Sequence, residues 1–188
     1  MAQDFSRERL TGRRFEDEAL HGADFSEAEL EGVVFERCDL SGADFGGAVL
    51  DRCALLTCRL ERARFTLASL TDCKTTGSTF LRCEWRPVTV TGGDWSYVVL
   101  RGQDLTGTSL AGLRLAEADL SDAMLIGCDL QGADLSHARL RGAFLRGADL
   151  RGARLDGCEV DGVGWEGVRI DLATAALLAR ARGAIVED

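Results

Sequence analysis

The sequence has little of what catalysis, membranes or nucleic acids call for. It holds two histidines, one lysine, one proline and one tyrosine in 188 residues. The carboxylates are scattered singly, with no Gly-rich phosphate loop and no cluster of metal-ligand spacing. The expectation is therefore no enzyme, with no catalytic residue, metal, cofactor or small-molecule substrate. No apolar run approaches the roughly 18 residues of a membrane span. An apolar periodicity is already under way at Phe5, which leaves no room for a signal peptide and points to the cytoplasm. The basic residues, 21 of the 22 being arginine, are interleaved with acids and form no basic stripe, so direct nucleic-acid binding is not expected.

What is present is a period of five. Of the 34 positions from Phe5 to Ile170 whose number is a multiple of five, 27 are Leu or Phe, six are Trp, Val or Ile, and only Thr75 is polar. Five residues of α-helix or of flat strand cannot gather these side chains on one face. A chain that turns a corner once per five residues can, and the result is a solenoid. A second column, at numbers ending in 3 or 8, holds small residues such as Ala23, Ala28, Cys38, Ala43 and Cys53. Numbers ending in 2 or 7 are glycine-rich, as corners needing unusual backbone angles are. Aromatics in the central column recur at a spacing of 20 (Phe5, Phe25, Phe45, Phe65, Trp85), which favours four sides over three. Taking about 4.8 Å per coil, some eight and a half coils make a rod of roughly 40 Å.

This geometry disposes of two candidate chemistries. His21 and His137 lie nearly six coils apart, about 28 Å along the rod, and cannot share a site. Cys38, Cys53, Cys58, Cys73, Cys83, Cys128 and Cys158 all stand in the small inner column, so they read as buried, reduced replacements for alanine. Cys38/Cys58 and Cys53/Cys73 would stack on adjacent coils with side chains pointing the same way, which does not suit a disulfide.

The segments SGADF, GADLSHARL and GADLRGARL carry the G-A-D-L-[SR]-G pattern, and the chain resembles the pentapeptide-repeat family over residues 3 to 170. The resemblance implies an all-β fold, a right-handed quadrilateral β-helix of about eight coils over residues 1–170, with a short C-terminal α-helix in the tail 171–188. Within the family the chain is most similar to the mycobacterial quinolone-resistance members. That similarity rests on uninterrupted repeats, the central CEWRPVTVTGGDWSYVVLRGQDL and the ending WEGVRIDLATAALLARARG. It implies a partner, DNA gyrase, which such proteins bind, inhibit and protect from fluoroquinolones by imitating its DNA.

The four-sided register lets charge be assigned side by side. Around the columns starting at residues 5 and 10, sides one and two carry −3 and −4, while sides three and four carry −1 each, out of a total of −9. The candidate partner-binding flank is Asp4, Asp24, Glu27, Asp44, Glu84 and Asp104 on side one, with Glu29, Glu31, Asp51, Asp72, Asp129 and Asp149 on side two. B-DNA is far more densely charged, about one charge per 1.7 Å of axis, so mimicry has to be selective. The alternative is that the acids merely keep a rod with exposed sheet soluble, and that the rod is a structural scaffold for some other protein.

After Ile170 the period stops. Asp171 reads as an N-cap, Leu172, Ala175, Ala176, Leu178 and Ala179 as an apolar helical stripe, and Gly183 as a stop. This helix is expected to cap the open end of the sheet, and the family resemblance implies that it also pairs two subunits into a homodimer rod of about 80 Å. Met124, Ile126 and Phe144 make an apolar patch at outward positions of side one, to be buried by the chain's own helix or a partner's. In the least regular stretch, Thr75 to Val99, Pro87 removes a ladder donor and Gly92-Gly93 disturbs the corner pattern, so a bulged or kinked coil is expected.

Overall fold

A computed structural model describes residues 2–181 and 183–187. The period of five is realised as a square tube. In each pentad the central residue points inward between two outward neighbours, giving strands only three residues long: β1 (Arg9–Thr11), β2 (Arg14–Glu16), β3 (Glu29–Glu31), β4 (Val34–Glu36), β5 (Val49–Asp51), β6 (Ala54–Leu56), β7 (Ser69–Thr71) and β8 (Thr89–Thr91). All pairings are parallel with a register of 20 residues, as in Leu10↔Leu30↔Leu50↔Leu70↔Val90 and Phe15↔Phe35↔Leu55. Isolated bridges carry the same register from Asp4↔Asp24 up to Asp149↔Arg169. The fold is a right-handed quadrilateral β-helix of about eight coils, ended by the helix α1 (Leu172–Ala181).

Hydrogen bonds run along the tube axis. Phe25 N–H donates to the Asp44 carbonyl at 2.7 Å, and Asp44 N–H donates to the Ala23 carbonyl at 2.9 Å, and this pattern bonds coil to coil along the tube except at one seam. Apart from Pro87, the corners have a residue with φ near +60° at a number ending in 2 or 7. Glycine fills most of them, but Arg7, Glu27, Arg52, Leu67, Asp72, Tyr97 and His137 are held in the same left-handed region.

Inside, the central column from Phe5 to Leu155 is buried, including Thr75, whose Oγ1 has no partner. Stacked rings set the rise: Phe5, Phe25, Phe45, Phe65 and Trp85 lie one above the other at 4.8, 4.9, 5.0 and 4.7 Å. Trp85 and Trp95 fill the core. The inner column is equally tight, and its cysteine sulfurs point at the carbonyl of the residue 23 positions earlier. Cys83 Sγ lies 2.7 Å from the Leu60 oxygen and Cys128 Sγ 2.8 Å from that of Leu105. All seven cysteines are free.

The irregular middle coil departs from the pattern more than a bulge does. The Arg86–Pro87 peptide is cis. Between the stretch Glu84–Gly92 and the next coil, Asp104–Ala111, no backbone hydrogen bond joins the two on sides one and two among the described residues. On sides three and four the same two coils are bonded normally, through Trp95 N–H to Arg114 O (2.7 Å) and Leu100 N–H to Asp119 O (2.8 Å).

Helix α1 begins where the Asp171 carboxylate accepts from Thr174 N–H at 2.8 Å and, across the coil, from Gly152 N–H at 2.6 Å. It ends on Gly183, with Gly183 N–H bonded to Arg180 O and Ala184 N–H to Ala179 O, the paired bonds of a Schellman stop. The cap fixes the helix's rotation, and of the stripe expected from the sequence Ala175, Ala176, Leu178 and Ala179 are half-buried while Leu172 stands outside it. Thr174 is buried, Leu177 packs on the core, and Leu178 and Ala179 face Trp165, Val168 and Ile170. Leu172, by contrast, is 89% exposed. The chain's own helix does not cover the side-one patch either: Met124 is 39% and Phe144 56% exposed, with Ile126 half-buried beside them.

Candidate partner-binding surface

The aspartates of the flank are placed by the corners. In Asp4, Asp24, Asp44, Asp104, Asp129 and Asp149 one carboxylate oxygen accepts the N–H two residues ahead, at 2.8 to 3.2 Å, bracketing the turn. Asp39, Asp94, Asp119 and Asp134 do the same on sides three and four. The aspartate of the repeat is thus first a turn residue. This role also accounts for Asp4 titrating below the usual carboxylate range, with the Ser6 N–H as the main cause.

The remaining lone pairs decide what a partner meets. Seven of the twelve candidate acids are neutralised by arginines, mostly one coil away. Glu27 pairs with Arg7 at 3.0 Å, Glu29 with Arg9 at 2.7 Å, and Glu31 and Asp51 with Arg52 at 2.6 Å each. Asp44 pairs with Arg64, and Asp104 with Arg86 at 2.9 Å. Asp149 is gripped by Arg151 at 2.7 Å and Arg169 at 3.3 Å, is buried, and titrates at about 2 because Arg151 holds its charged form. For Asp44, burial alone works against ionisation, but Arg64 and the Gly46 N–H outweigh it and the net shift is downward.

Asp4, Asp24, Asp72, Glu84 and Asp129 have no basic side chain within 4.0 Å among the described residues. Glu8, Glu166 and Asp171, on the same two sides, also have no basic side chain within 4.0 Å among the described residues; they count in the side charges read from the sequence but stood outside the candidate flank. For Glu8 a signal was available, since position 28 is alanine, whereas Glu166 has Arg146 20 residues before it and yet forms no ion pair with it among the described residues. The net negative charge of sides one and two resides in these unpaired groups, because every arginine there except Arg146 is engaged with an acid.

The proposed dimer residues fall in two places. Ile126 and Phe144 line a hollow of about 430 Å³ with Gly162, Gly164 and Glu166, where Gly164 leaves a notch above the Phe144 ring. Leu178 and Ala179 line a second opening at the end of the tube with Trp165, Val168 and Ile170. Ala175 and Ala176 are half-buried on α1, and Leu172 is at its exposed start. His21 and His137 are exposed, His21 lying 3.4 Å from Asp39 and His137 standing at a corner. Among the described residues no group of three or more His, Cys, Asp or Glu is arranged to hold a metal ion, and no helix is long and apolar enough to cross a membrane.

Comparison with known proteins adds one family and three solved structures. The family described as "Pentapeptide repeats" matches residues 20–55, 89–122, 96–132 and 128–163. Three solved structures of QnrB1, described as a plasmid-mediated fluoroquinolone resistance protein, superpose along nearly the whole tube. The full-length form is 25% identical, covers 97% of this chain and 98% of its own, and gives a TM-score of 0.58. Two trypsin-treated variants are 27% and 24% identical, cover 98% of this chain and 85% and 95% of their own, and give TM-scores of 0.55 and 0.69. No match was found among the curated proteins.

Proposed function

The chain belongs to the pentapeptide-repeat family, and from that premise we propose that it is a binding protein which mimics DNA, occupies DNA gyrase in the cytoplasm, modulates or inhibits it, and protects it from fluoroquinolones. Two lines support this. The fold runs alongside QnrB1, a fluoroquinolone resistance protein, for 97 to 98% of this chain. The sequence features of the repeats, the middle segment and the tail also resemble the mycobacterial quinolone-resistance protein MfpA.

The observation that carries the mimicry is the set of unpaired carboxylates on two adjoining sides of a straight-registered rod. Asp4 and Asp24 are bridged neighbours in one column, Glu84 lies three coils beyond Asp24 in that column, and Asp72 and Asp129 flank it on side two. A protein surface that holds DNA is basic and reads phosphates by charge and position. Carboxylates fixed by turn hydrogen bonds meet such a surface at low entropic cost, because the aspartates are already oriented.

A homodimer is part of the same proposal. Phe144, Met124 and the openings lined by Leu178 and Ala179 form apolar surface that the single chain leaves uncovered, and a second copy would extend the rod.

The test is gyrase supercoiling with the protein titrated in, beside a variant in which Asp24→Asn, Asp72→Asn, Asp129→Asn and Glu84→Gln remove charge while keeping shape and turn acceptors. Loss of inhibition by roughly tenfold or more in the variant is the expected result, as for charges that contact a partner directly. A second reading, a scaffolding rod with a different partner, draws on the seven acids that serve the rod's own coil-to-coil pairing. It is the conclusion if the parent affects neither supercoiling nor fluoroquinolone poisoning.

A further inference from the structure

Among the described residues, the seam between Glu84–Gly92 and Asp104–Ala111 is where the square tube is bonded on two sides and unbonded on the other two. The N–H groups of Trp85, Val90, Gly92, Asp104 and Ser109 lack the coil-to-coil acceptors that their counterparts have elsewhere, while Tyr97, Leu100 and Gly102 on the far side donate across the same seam at 2.8 to 2.9 Å. The bridge series shows the same break: Arg64↔Glu84 and Asp104↔Met124 are present, and nothing links Glu84 to Asp104 among the described residues. Pro87 contributes no donor, and the seam holds a hollow of about 440 Å³ lined by Arg86, Pro87, Val88, Thr106, Gly107 and Thr108.

Two side chains span the gap. Gln103 stands in the inner column where alanine or cysteine is the rule, and it is buried. Its Oε1 accepts from Cys83 N–H at 3.0 Å and from Trp85 Nε1–H at 3.1 Å, both on the coil below, so this one side chain ties the two coils together. On the outside Arg86 reaches Asp104 at 2.9 Å. The seam also divides the core. Every ring of the continuous aromatic stack from Phe5 to Trp85 lies below it, and above it the central column is leucine as far as Leu155.

We propose that the rod is jointed at this seam. The Phe-rich and Leu-rich halves swing about the bonded sides three and four, Gln103 acts as a releasable clasp, and the motion changes the spacing between carboxylates below the seam (Asp24, Asp72, Glu84) and above it (Asp129) on sides one and two. In a repeat protein each coil is held only by its neighbours, so a junction lacking half its ladder is the weakest interface and the natural place for sub-global opening. The joint's use in fitting a partner rests on the acidic-flank reading of function, whereas the joint itself does not.

The test measures the free protein, with no gyrase present. Nitroxide pairs at Leu67→Cys with Arg146→Cys on the open side, and Thr57→Cys with His137→Cys on the closed side, each span the seam by about four coils, roughly 19 Å. The native thiols are in the inner column, most of them buried, and remain unlabelled under native conditions. The open-side distance distribution should be at least about twice as wide as the closed-side one, and Gln103→Ala should widen it further while leaving the closed side unchanged. Equal, narrow distributions on both sides, unaffected by Gln103→Ala in a protein with unaltered circular dichroism, would overturn the joint. Because gyrase takes no part, a rigid rod that still inhibits gyrase, or a jointed rod that does not, separates this proposal from the functional one.

Discussion

Phe25 and Phe45, twenty residues apart, stack with ring centroids 4.9 Å apart and planes 4° from parallel. That one distance fixes the coil rise, the four-sided register and the vertical order of every outward side chain. Removing a ring from the stack should therefore be felt along the tube. Phe45→Ala is expected to cost about 3 to 5 kcal/mol, read as a lowered midpoint in chemical unfolding. Leu120→Lys places a charge in a fully buried column position and is expected to give no soluble folded protein; a normal melting curve would refute the architecture.

Backbone conformation at the corners and seam gives opposite outcomes for two glycine exchanges. Leu67 is 71% exposed with φ +65°, so Leu67→Gly relieves the left-handed cost and should stabilise by up to about 1 kcal/mol after the unfolded-state penalty. Gly93 has φ +106°, and a Cβ there would stand 2.2 Å from the Cys73 carbonyl oxygen. Gly93→Ala should therefore destabilise by about 2 kcal/mol or more, well beyond Gly127→Ala, whose Cβ meets nothing within 4 Å. Thermal melts of the three variants check the ordering.

Acid should weaken the rod in a defined window. Asp39 and Asp149 both titrate at about 2 in the folded chain, against an ordinary 3.8. Burial opposes ionisation of Asp39 but Arg59 and Ser41 outweigh it, while Arg151 is the chief cause for Asp149. Folded values below the unfolded ones mean that the stabilisation is complete above about pH 4 and is lost as pH falls towards 2. The melting temperature should fall across that interval, and Asp149→Asn should lower it at pH 7 and flatten its acid dependence.

The thiols should be silent until the tube opens. Burial pushes Cys58, Cys83 and Cys158 up to about 12 and Cys128 to about 11. Native protein should react with a thiol reagent far more slowly than the same protein in guanidinium, where all seven titrate at once. Rapid labelling of any thiol in the native state would contradict the inner-column placement.

Assembly is checked by mass. Phe144→Asp and Leu178→Asp, on the two uncovered apolar openings, should each convert a dimer to a monomer in light scattering while leaving circular dichroism unchanged. An unaltered dimer in both would move the interface elsewhere.

The period of five was enough, without any coordinates, to settle the tube, its inward columns, its corners and the placement of the cysteines. Each follows from a steric rule that repeats at every coil, and a rule obeyed some thirty times is legible in one chain. Position-by-position charge gave the two acidic sides for the same reason. Which acids are available was decided only by the tertiary structure, because most carboxylate partners lie 18 to 21 residues away and depend on how a long arginine side chain lies across the sheet. The rotation of α1 was set by Asp171 reaching back to Gly152, a contact between distant coils. The irregular coil was signalled by Pro87 and Gly92-Gly93, whereas the part played by Gln103 came only from the structure. That the seam opens two sides and spares two is a property of ladder hydrogen bonds, which exist only once the coils are stacked.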